Sequence, residues 1–277
     1  RRLSPGEGVL GALILLSPSV LLGVERANGD LLLFLLVLGA ALLVARGGAR
    51  LAGGLGLVFA GAMLKLYPIA AAASALLHRR GWRIVVVTVA LFAVYAAATR
   101  NDIRRVSAAT PRPVHLAYGS AVLPTAWAAR VAQRDPGTMN RLRPWVRVAR
   151  WGVPAVLLGI AVLLSPRSGP VELSSDAAGA AFLAGAGIYG LTYVLGNNWD
   201  YRLIFLILCL PMLWQWGRRE DASGTWSVLI LGSMAASFWL GPSDRRIWFV
   251  DEIFNAVAWL GLAVLTLAWL RARRASA

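Results

Sequence analysis

The sequence predicts an all-α protein that crosses a membrane several times as one bundle of helices. Of its 277 residues, 58% are hydrophobic and only 15% are charged, whereas about 25% of the residues of an average soluble domain are charged. The mean hydropathy is +0.64. A transmembrane helix needs roughly 17–25 apolar residues in succession, and about eight runs of this kind recur along the chain. This composition excludes a soluble globular enzyme and a disordered tail.

The apolar runs define the predicted helices. The runs are apolar on all sides, whereas the strands of a membrane barrel alternate apolar and polar residues. We therefore treat residues 1–277 as a single integral-membrane domain of helices. The predicted helices cover residues 9–24, 31–45, 51–64, 67–78, 84–99, 145–165, 177–196, 201–216, 226–240 and 247–270.

Residues 100–144 form a basic loop that is rich in arginine and proline. It contains a modestly apolar piece at 114–131, which forms either an amphipathic helix in the membrane interface or a poor spanning helix. The choice decides on which side of the membrane the later segment 197–202 lies. We adopt the interfacial helix, which places 197–202 on the outer side.

The charge of the chain indicates a membrane orientation rather than a nucleic-acid partner. Lysine and arginine number 28 against 13 acidic residues, which gives a net charge of +15. The excess lies largely in short loops between apolar runs, which is typical of the positive-inside rule. The chain has one cysteine and two histidines far apart, so we expect neither an internal disulfide nor a metal site.

The loop charges also predict a re-entrant pair of helices. The arginine clusters at 46–50 and 79–83 are both expected in the cytoplasm, but a single helix between them would put them on opposite sides. The conflict disappears if the chain rises along 51–64, turns near Pro68 and descends along 67–78, since proline breaks a helix. At 1.5 Å per residue, arms of about a dozen residues are too short to cross fully. Such broken helices are tolerated where they pack inside protein.

Lys65 lies at the outer tip of this pair, and it is the only lysine of the chain. An ionisable group in an apolar segment costs about 2.5–3.5 kcal/mol and usually faces an interior, a cavity or an anionic partner. A compact ammonium can bind phosphate as a point charge. The alternative is a lysine that extends to the headgroups or pairs with a structural partner.

A second polar group lies between two apolar runs. It holds Asn197, Asn198, Asp200, Tyr201 and Arg202. A guanidinium at the mouth of a helix can bind phosphate through two parallel hydrogen bonds. The alternative is an interfacial loop with an Asp200–Arg202 pair, which would contribute little.

A third polar group is the turn 25–30. Here Asn28 and Asp30 are candidates to bind a sugar hydroxyl or a cation. The alternative is that Asp30 is only the N-cap of the next helix.

Three segments resemble one family of membrane enzymes. They are the turn at 26–30, the K-x-Y-P segment that contains Lys65 and Tyr67, and the D-Y-R-L-I-F segment at 200–205. Together they are similar to membrane glycosyltransferases of the GT-C superfamily, above all to glycosyltransferase family 87, which is like the polyprenol-phosphate-mannose-dependent mannosyltransferases.

The resemblance implies a helical bundle of GT-C type in the cytoplasmic membrane of a bacterium. It implies transfer of a mannose-like sugar from a polyprenyl-phosphate donor to a glycolipid or glycan acceptor of the envelope, on the outer side of the membrane. No cofactor is implied, and a divalent cation is left open. The substrate-binding residues would be Lys65, Arg202, Asp200, Asn197, Asn198, Tyr201, Asp30, Asn28 and Tyr67.

The chain departs from this family near its start. GT-C enzymes carry their catalytic acid in a long outer loop after the first helix, whereas here a six-residue turn follows residues 9–24. The sequence also begins without methionine. We therefore expect the general base upstream of this chain, or a degenerate homologue, and assign no catalytic residue. The alternatives are a transporter or flippase for a lipid-linked or anionic substrate, and a non-catalytic subunit of an envelope-assembly complex.

Overall fold

The computed structural model describes residues 4–110, 116–134, 138–169, 171–174, 176–241 and 248–275. Most of these residues lie in helices, and two short strands form one sheet. The α-helices are α1 Pro5–Leu15, α2 Pro18–Glu25, α3 Gly29–Arg46, α4 Gly48–Leu64, α5 Gly81–Ala98, α6 Arg100–Ala109, α7 Val122–Arg134, α8 Thr138–Leu164, α9 Ala177–Leu195, α10 Leu210–Trp216, α11 Ala222–Leu240 and α12 Trp248–Ala275. The 3₁₀ helices are η1 Tyr67–Leu77, η2 Ser165–Ser168 and η3 Asp200–Cys209, and the strands are β1 Ala117–Tyr118 and β2 Asn198–Trp199.

The structure confirms the all-α membrane fold. Within the described residues, 6 helices are long and apolar enough to cross a membrane. The number rises to 7 if α1 and α2, which meet at a bend of 44°, form one span. The protein is therefore a multi-pass membrane protein.

Contacts between distant segments define two ends of the bundle. At the lower end, a ring nitrogen of His78 lies 2.8 Å from the carbonyl oxygen of Val44, and Arg273 donates to the His78 carbonyl at 2.6 Å. At the upper end, Lys65 pairs with Asp30. Helix α3 runs between the two ends, since Asp30 lies in its first turn and Val44 in its last.

The predicted turn at Lys65 is present, between α4 and η1, but the expectation that the two arms are too short to cross is wrong. The pair starts beside His78, reaches the upper end at Lys65 and returns to His78, so its two arms run alongside α3. The arms are longer than the sequence suggests. Helix α4 has 17 residues, or about 25 Å at 1.5 Å per residue, and η1 has 11 residues, or about 22 Å at the larger 3₁₀ rise.

The segment 114–131 does not form one helix. Ala117 and Tyr118 pair in antiparallel fashion with Trp199 and Asn198, and α7 begins only at Val122. The first residues of the segment lie outside the described part of the chain. Helix α7 has 13 residues, whereas a spanning helix needs about 20. The piece therefore lies at the upper end without crossing, and α8 starts at Thr138 rather than at 145.

The predicted helix 201–216 is also split. It consists of η3 followed by α10, which has Pro211 in its first turn. Small residues of α9 allow close packing on both sides. A Cβ at Gly185 would lie 2.7 Å from the Phe205 carbonyl oxygen of η3, and one at Gly187 would lie 2.5 Å from the Ala70 carbonyl oxygen of η1. Helix α9 thus holds the two 3₁₀ helices, and with them the ends that carry Lys65 and Arg202.

Candidate functional site

Asp30 brings together two cations from distant parts of the sequence. The Lys65 ammonium donates a short hydrogen bond to Asp30 Oδ1 and a second one, at 3.1 Å, to Asn28 Oδ1. The Arg202 Nε lies 3.4 Å from Asp30 Oδ2. The Asp30 side chain is 2% exposed, but those of Lys65 and Arg202 are 33% and 19% exposed. The two cations therefore share a buried carboxylate and keep part of their surface open.

Local structure explains why these groups meet. Asn28 is the N-cap of α3 and accepts from the Asp30 backbone N–H at 3.0 Å. Asp30 lies in the first turn of α3, where the helix dipole favours a negative charge. Lys65 ends α4 in an extended conformation, with φ −144° and ψ 136°, and Pro68 lies in the first turn of η1. The Lys65 side chain is thus at the tip of the hairpin.

Tyr67 and Asn198 hold the Arg202 guanidinium from two sides. The guanidinium carbon lies 4.9 Å from the centre of the Tyr67 ring, which is a favourable cation–π distance. Arg202 also donates to Asn198 Oδ1 at 2.7 Å. Asn198 belongs to β2 and donates in turn to the Thr192 carbonyl at the end of α9. These contacts fix the direction of the guanidinium.

Tyr201 and Asn197 lie at the edge of this network. The Tyr201 side chain hydrogen-bonds to Asn28, and its ring stacks on Trp199 with 6.0 Å between ring centres. Arg26 lies 4.8 Å above the same tryptophan. Asn197 is half-buried in the turn between α9 and β2. The structure therefore places seven predicted residues in one contact network, which we call the cation site: Lys65, Arg202, Asp30, Asn28, Tyr67, Asn198 and Tyr201.

Asp200 does not join the cation site. It begins η3, and side chains on a 3₁₀ helix turn by a third of a circle per residue, so Asp200 and Arg202 point in different directions. Arg202 pairs with Asp30 instead. A Cβ at Gly241 would lie 2.6 Å from Asp200 Oδ2 and 2.9 Å from Asp251 Oδ2, so the two carboxylates face the same glycine.

Asp200, Asp251 and Glu252 form a carboxylate cluster that the sequence interpretation does not foresee. Their exposures are 0%, 1% and 2%. Neither carboxylate oxygen of Asp200 has a hydrogen-bond partner among the described residues, whereas Glu252 Oε2 accepts from the Gly119 backbone N–H at 3.2 Å. Burial, and then the charge of Asp251, raises the pKa of Asp200 well above its ordinary value. Asp251 and Glu252 lie within the apolar run 247–270, and such acidic residues in an apolar run are the sequence signal that would have indicated this cluster.

The chemistry of the two groups differs. The cation site carries two positive groups and one negative group, so its open surface favours an anion. The carboxylate cluster favours protons, because neighbouring buried carboxylates cannot all ionise at low cost. Within the described parts of the chain, no group of three or more His, Cys, Asp or Glu side chains is arranged to hold a metal ion.

Comparison with family models, with curated proteins and with solved structures gives no match. The resemblance to glycosyltransferase family 87 therefore depends on the three short segments alone. Two of those segments carry Asp30 and Lys65, and the third carries Arg202, so the segments that carry the resemblance are also the ones that meet in the cation site.

Proposed function

We propose that this chain is part of a membrane glycosyltransferase that takes a mannose-like sugar from a polyprenyl-phosphate donor. The acceptor is a glycolipid or glycan of a bacterial envelope, and the reaction takes place on the outer side of the cytoplasmic membrane. The observation that supports this proposal most is the convergence of Lys65 and Arg202 on Asp30 at one end of the bundle.

The physical properties of the donor suit the cation site. The prenyl chain of such a donor stays in the bilayer, and its phosphate lies at the level of the headgroups. Negative charge develops on this phosphate as the sugar leaves, and fixed cations stabilise that charge. Lys65 and Arg202 would supply the cations, while Asp30, Asn28, Tyr67 and Asn198 hold them in place. The proton of the acceptor hydroxyl needs a general base, which we do not assign to any residue of this chain.

The test is sugar transfer by the full-length protein and its variants. Lys65→Ala and Arg202→Ala are each expected to lower transfer from a radiolabelled polyprenyl-phosphate mannose by at least tenfold, because each removes a charge that faces the phosphate. Arg105→Ala is the matched control, since Arg105 is 84% exposed and lies in α6, outside the cation site. Undiminished transfer in both site variants would remove these two assignments.

Transport of a lipid-linked substrate is the second candidate. The carboxylate cluster and the broken helices favour it, because buried acids and discontinuous helices mark the substrate paths of transporters. Reconstituted vesicles separate the two functions. A glycosyltransferase converts the donor only when an acceptor is present, whereas a flippase exposes the unchanged donor on the opposite leaflet without any acceptor.

A further inference from the structure

An apolar groove lies between α7 and α8. It has a volume of about 470 Å³, which falls within the range of about 300–1,000 Å³ found for small-molecule sites. Both tryptophans that line it are largely exposed, Trp127 at 57% and Trp145 at 68%. The groove is lined by Pro124, Trp127, Leu142, Trp145, Val146 and Ala149.

The groove lies at the boundary between the apolar part of the bundle and the lipid headgroups. Arg150, one residue after the lining Ala149, donates to the Leu195 carbonyl at the upper end of α9. The arginine-rich first half of α8 therefore continues beyond the apolar part of the bundle, and the groove is in this half. Exposed tryptophans beside arginines are typical of the membrane–water interface.

Exposed arginines of both helices lie at the edges of the groove. Arg141 precedes the lining Leu142 in α8, and Arg130 follows Trp127 by one turn of α7. No ion pair joins either of the two to an acidic side chain of the described residues. Arg143 and Arg147 are also exposed, but at 3.6 residues per turn they share a face of α8 that points away from the lining residues.

We propose that this groove binds an anionic glycerophospholipid of the surrounding bilayer. An acyl chain lies between Trp127 and Trp145, and the phosphate contacts Arg130 and Arg141. Free phosphate is not the preferred ligand, because a soluble ion would gain no binding free energy from the apolar lining of the groove. Six lining residues are too few for a stable protein partner, which covers about 20–30 residues on each side. This inference does not depend on the proposed function.

The test compares lipids that share their acyl chains but differ in charge. The purified full chain is mixed with phosphatidylglycerol or phosphatidylcholine, and native mass spectrometry measures retention. Phosphatidylglycerol should be retained at least fivefold more strongly. Each of Arg130→Gln and Arg141→Gln should lower its retention about fivefold, because one arginine near a membrane surface contributes about that much attraction for anionic lipid. Arg147→Gln is the matched control and should leave retention unchanged.

A second measurement needs no charge variant. Phosphatidylglycerol with brominated acyl chains should quench the tryptophan fluorescence of the intact protein more than brominated phosphatidylcholine does. The double variant Trp127→Phe and Trp145→Phe should remove this difference. Equal quenching by both lipids would overturn the proposal. Equal losses in Arg141→Gln and Arg147→Gln would also overturn it, and so would a polyprenyl phosphate that displaces phosphatidylglycerol at equimolar concentration.

Discussion

At the scale of single residues, Asp30 explains how two cations can coexist at one end of a membrane bundle. A carboxylate at 2% exposure is costly unless it is paired and hydrogen-bonded. Lys65 hydrogen-bonds to one oxygen of Asp30, and Arg202 forms an ion pair with the other at 3.4 Å, so the carboxylate offsets the mutual repulsion of the two cations. Asp30 therefore positions both cations for any anion that approaches their open side. The alternative that Asp30 is only the N-cap of α3 is wrong, because Asn28 is the N-cap and Asp30 lies in the first turn.

Gly119→Ala should disturb the connection between β1 and α7. Gly119 has φ +126°, and a Cβ there would lie 1.7 Å from the Gly196 carbonyl oxygen, so the strands must separate. We expect a loss of about 1–3 kcal/mol in the free energy of unfolding, measured as a lower thermal midpoint in detergent. Gly159→Ala is the control, since nothing lies within 4 Å of its Cβ position, and it should be neutral or slightly stabilising. Equal midpoints for both variants would contradict the close approach.

Asp200→Asn should be tolerated at neutral pH. The raised pKa of Asp200 favours the protonated carboxyl, and an amide replaces that form without a change of charge. A raised acid pKa stabilises the fold below the ordinary value of 3.8, and this contribution is lost as pH rises toward the folded-state pKa. The thermal midpoint of the unaltered protein should therefore fall with rising pH, and the variant should show a weaker fall.

The exposed Asp102 supplies the control for this experiment. Its side chain is 75% exposed, so Asp102→Asn should leave the slope of the midpoint against pH unchanged. If Asp200→Asn instead unfolds the protein at neutral pH, the carboxyl is ionised and paired, and the interpretation of a protonated cluster is wrong.

At the scale of the elements, helix ends rather than helix middles organise the site. The starts of α3 and η1 and the end of α4 meet at the cation site, and the end of α9 supplies the carbonyl that holds Asn198. Helix ends carry unpaired backbone groups that side chains must satisfy. Polar residues therefore gather at these ends even in a chain as apolar as this one.

Asp221 caps α11 at the lower end of the bundle. One of its oxygens accepts from the Gly224 backbone N–H at 3.0 Å, and the Ser223 hydroxyl lowers the pKa of the carboxyl. We expect Asp221→Ala to lose about 1 kcal/mol of stability. Because the pKa is lowered, the cap stabilises above the ordinary value of 3.8 and is lost as pH falls.

Asp221→Asn separates the contribution of the capping hydrogen bond from that of the negative charge. The amide oxygen still accepts from the backbone, so most of the stability should return at neutral pH, while the loss on acidification should disappear. Thermal midpoints at neutral and acidic pH measure both effects. If Asp221→Ala melts at the same temperature as the unaltered protein, the cap does not contribute.

At the scale of the whole molecule, the bundle has two unlike ends. The upper end holds the cation site, the carboxylate cluster and the groove, and it also carries α6 and α7, which do not cross. The lower end holds short connections, such as the one between α3 and α4 and the one between η1 and α5. Function is therefore expected at the upper end, and the proposal requires that this end faces the outside of the cell.

Cysteine labelling tests this orientation. Arg105→Cys places a thiol on α6 at the upper end, and Arg274→Cys places one at the lower end of α12. Cys209 is fully buried, so the unaltered protein gives the background for a membrane-impermeant maleimide. We expect intact cells to label only the Arg105→Cys variant. Labelling of Arg274→Cys alone would reverse the orientation and contradict transfer on the outer side.

The sequence by itself determined the membrane fold, the turn of the helix pair at Lys65 and the residue types of the cation site. Length and apolarity identify spanning helices without any tertiary information. Pro68, together with the arginine clusters at 46–50 and 79–83, indicates the turn between the two helices. Lys65, Asp30 and Arg202 stand out because a charged or polar residue in an apolar context is costly and so needs a reason.

Only the tertiary structure decided which of these residues meet. Asp200 and Arg202 are neighbours in sequence, yet one faces Asp251 and the other Asp30, because η3 is a 3₁₀ helix packed against α9. The strand at Ala117 exists only because Asn198 and Trp199 lie beside it. Hydropathy indicates whether a segment is stable in lipid. The packing of helices that are distant along the chain decides which side chains meet, and this packing leaves no periodic signal in the sequence.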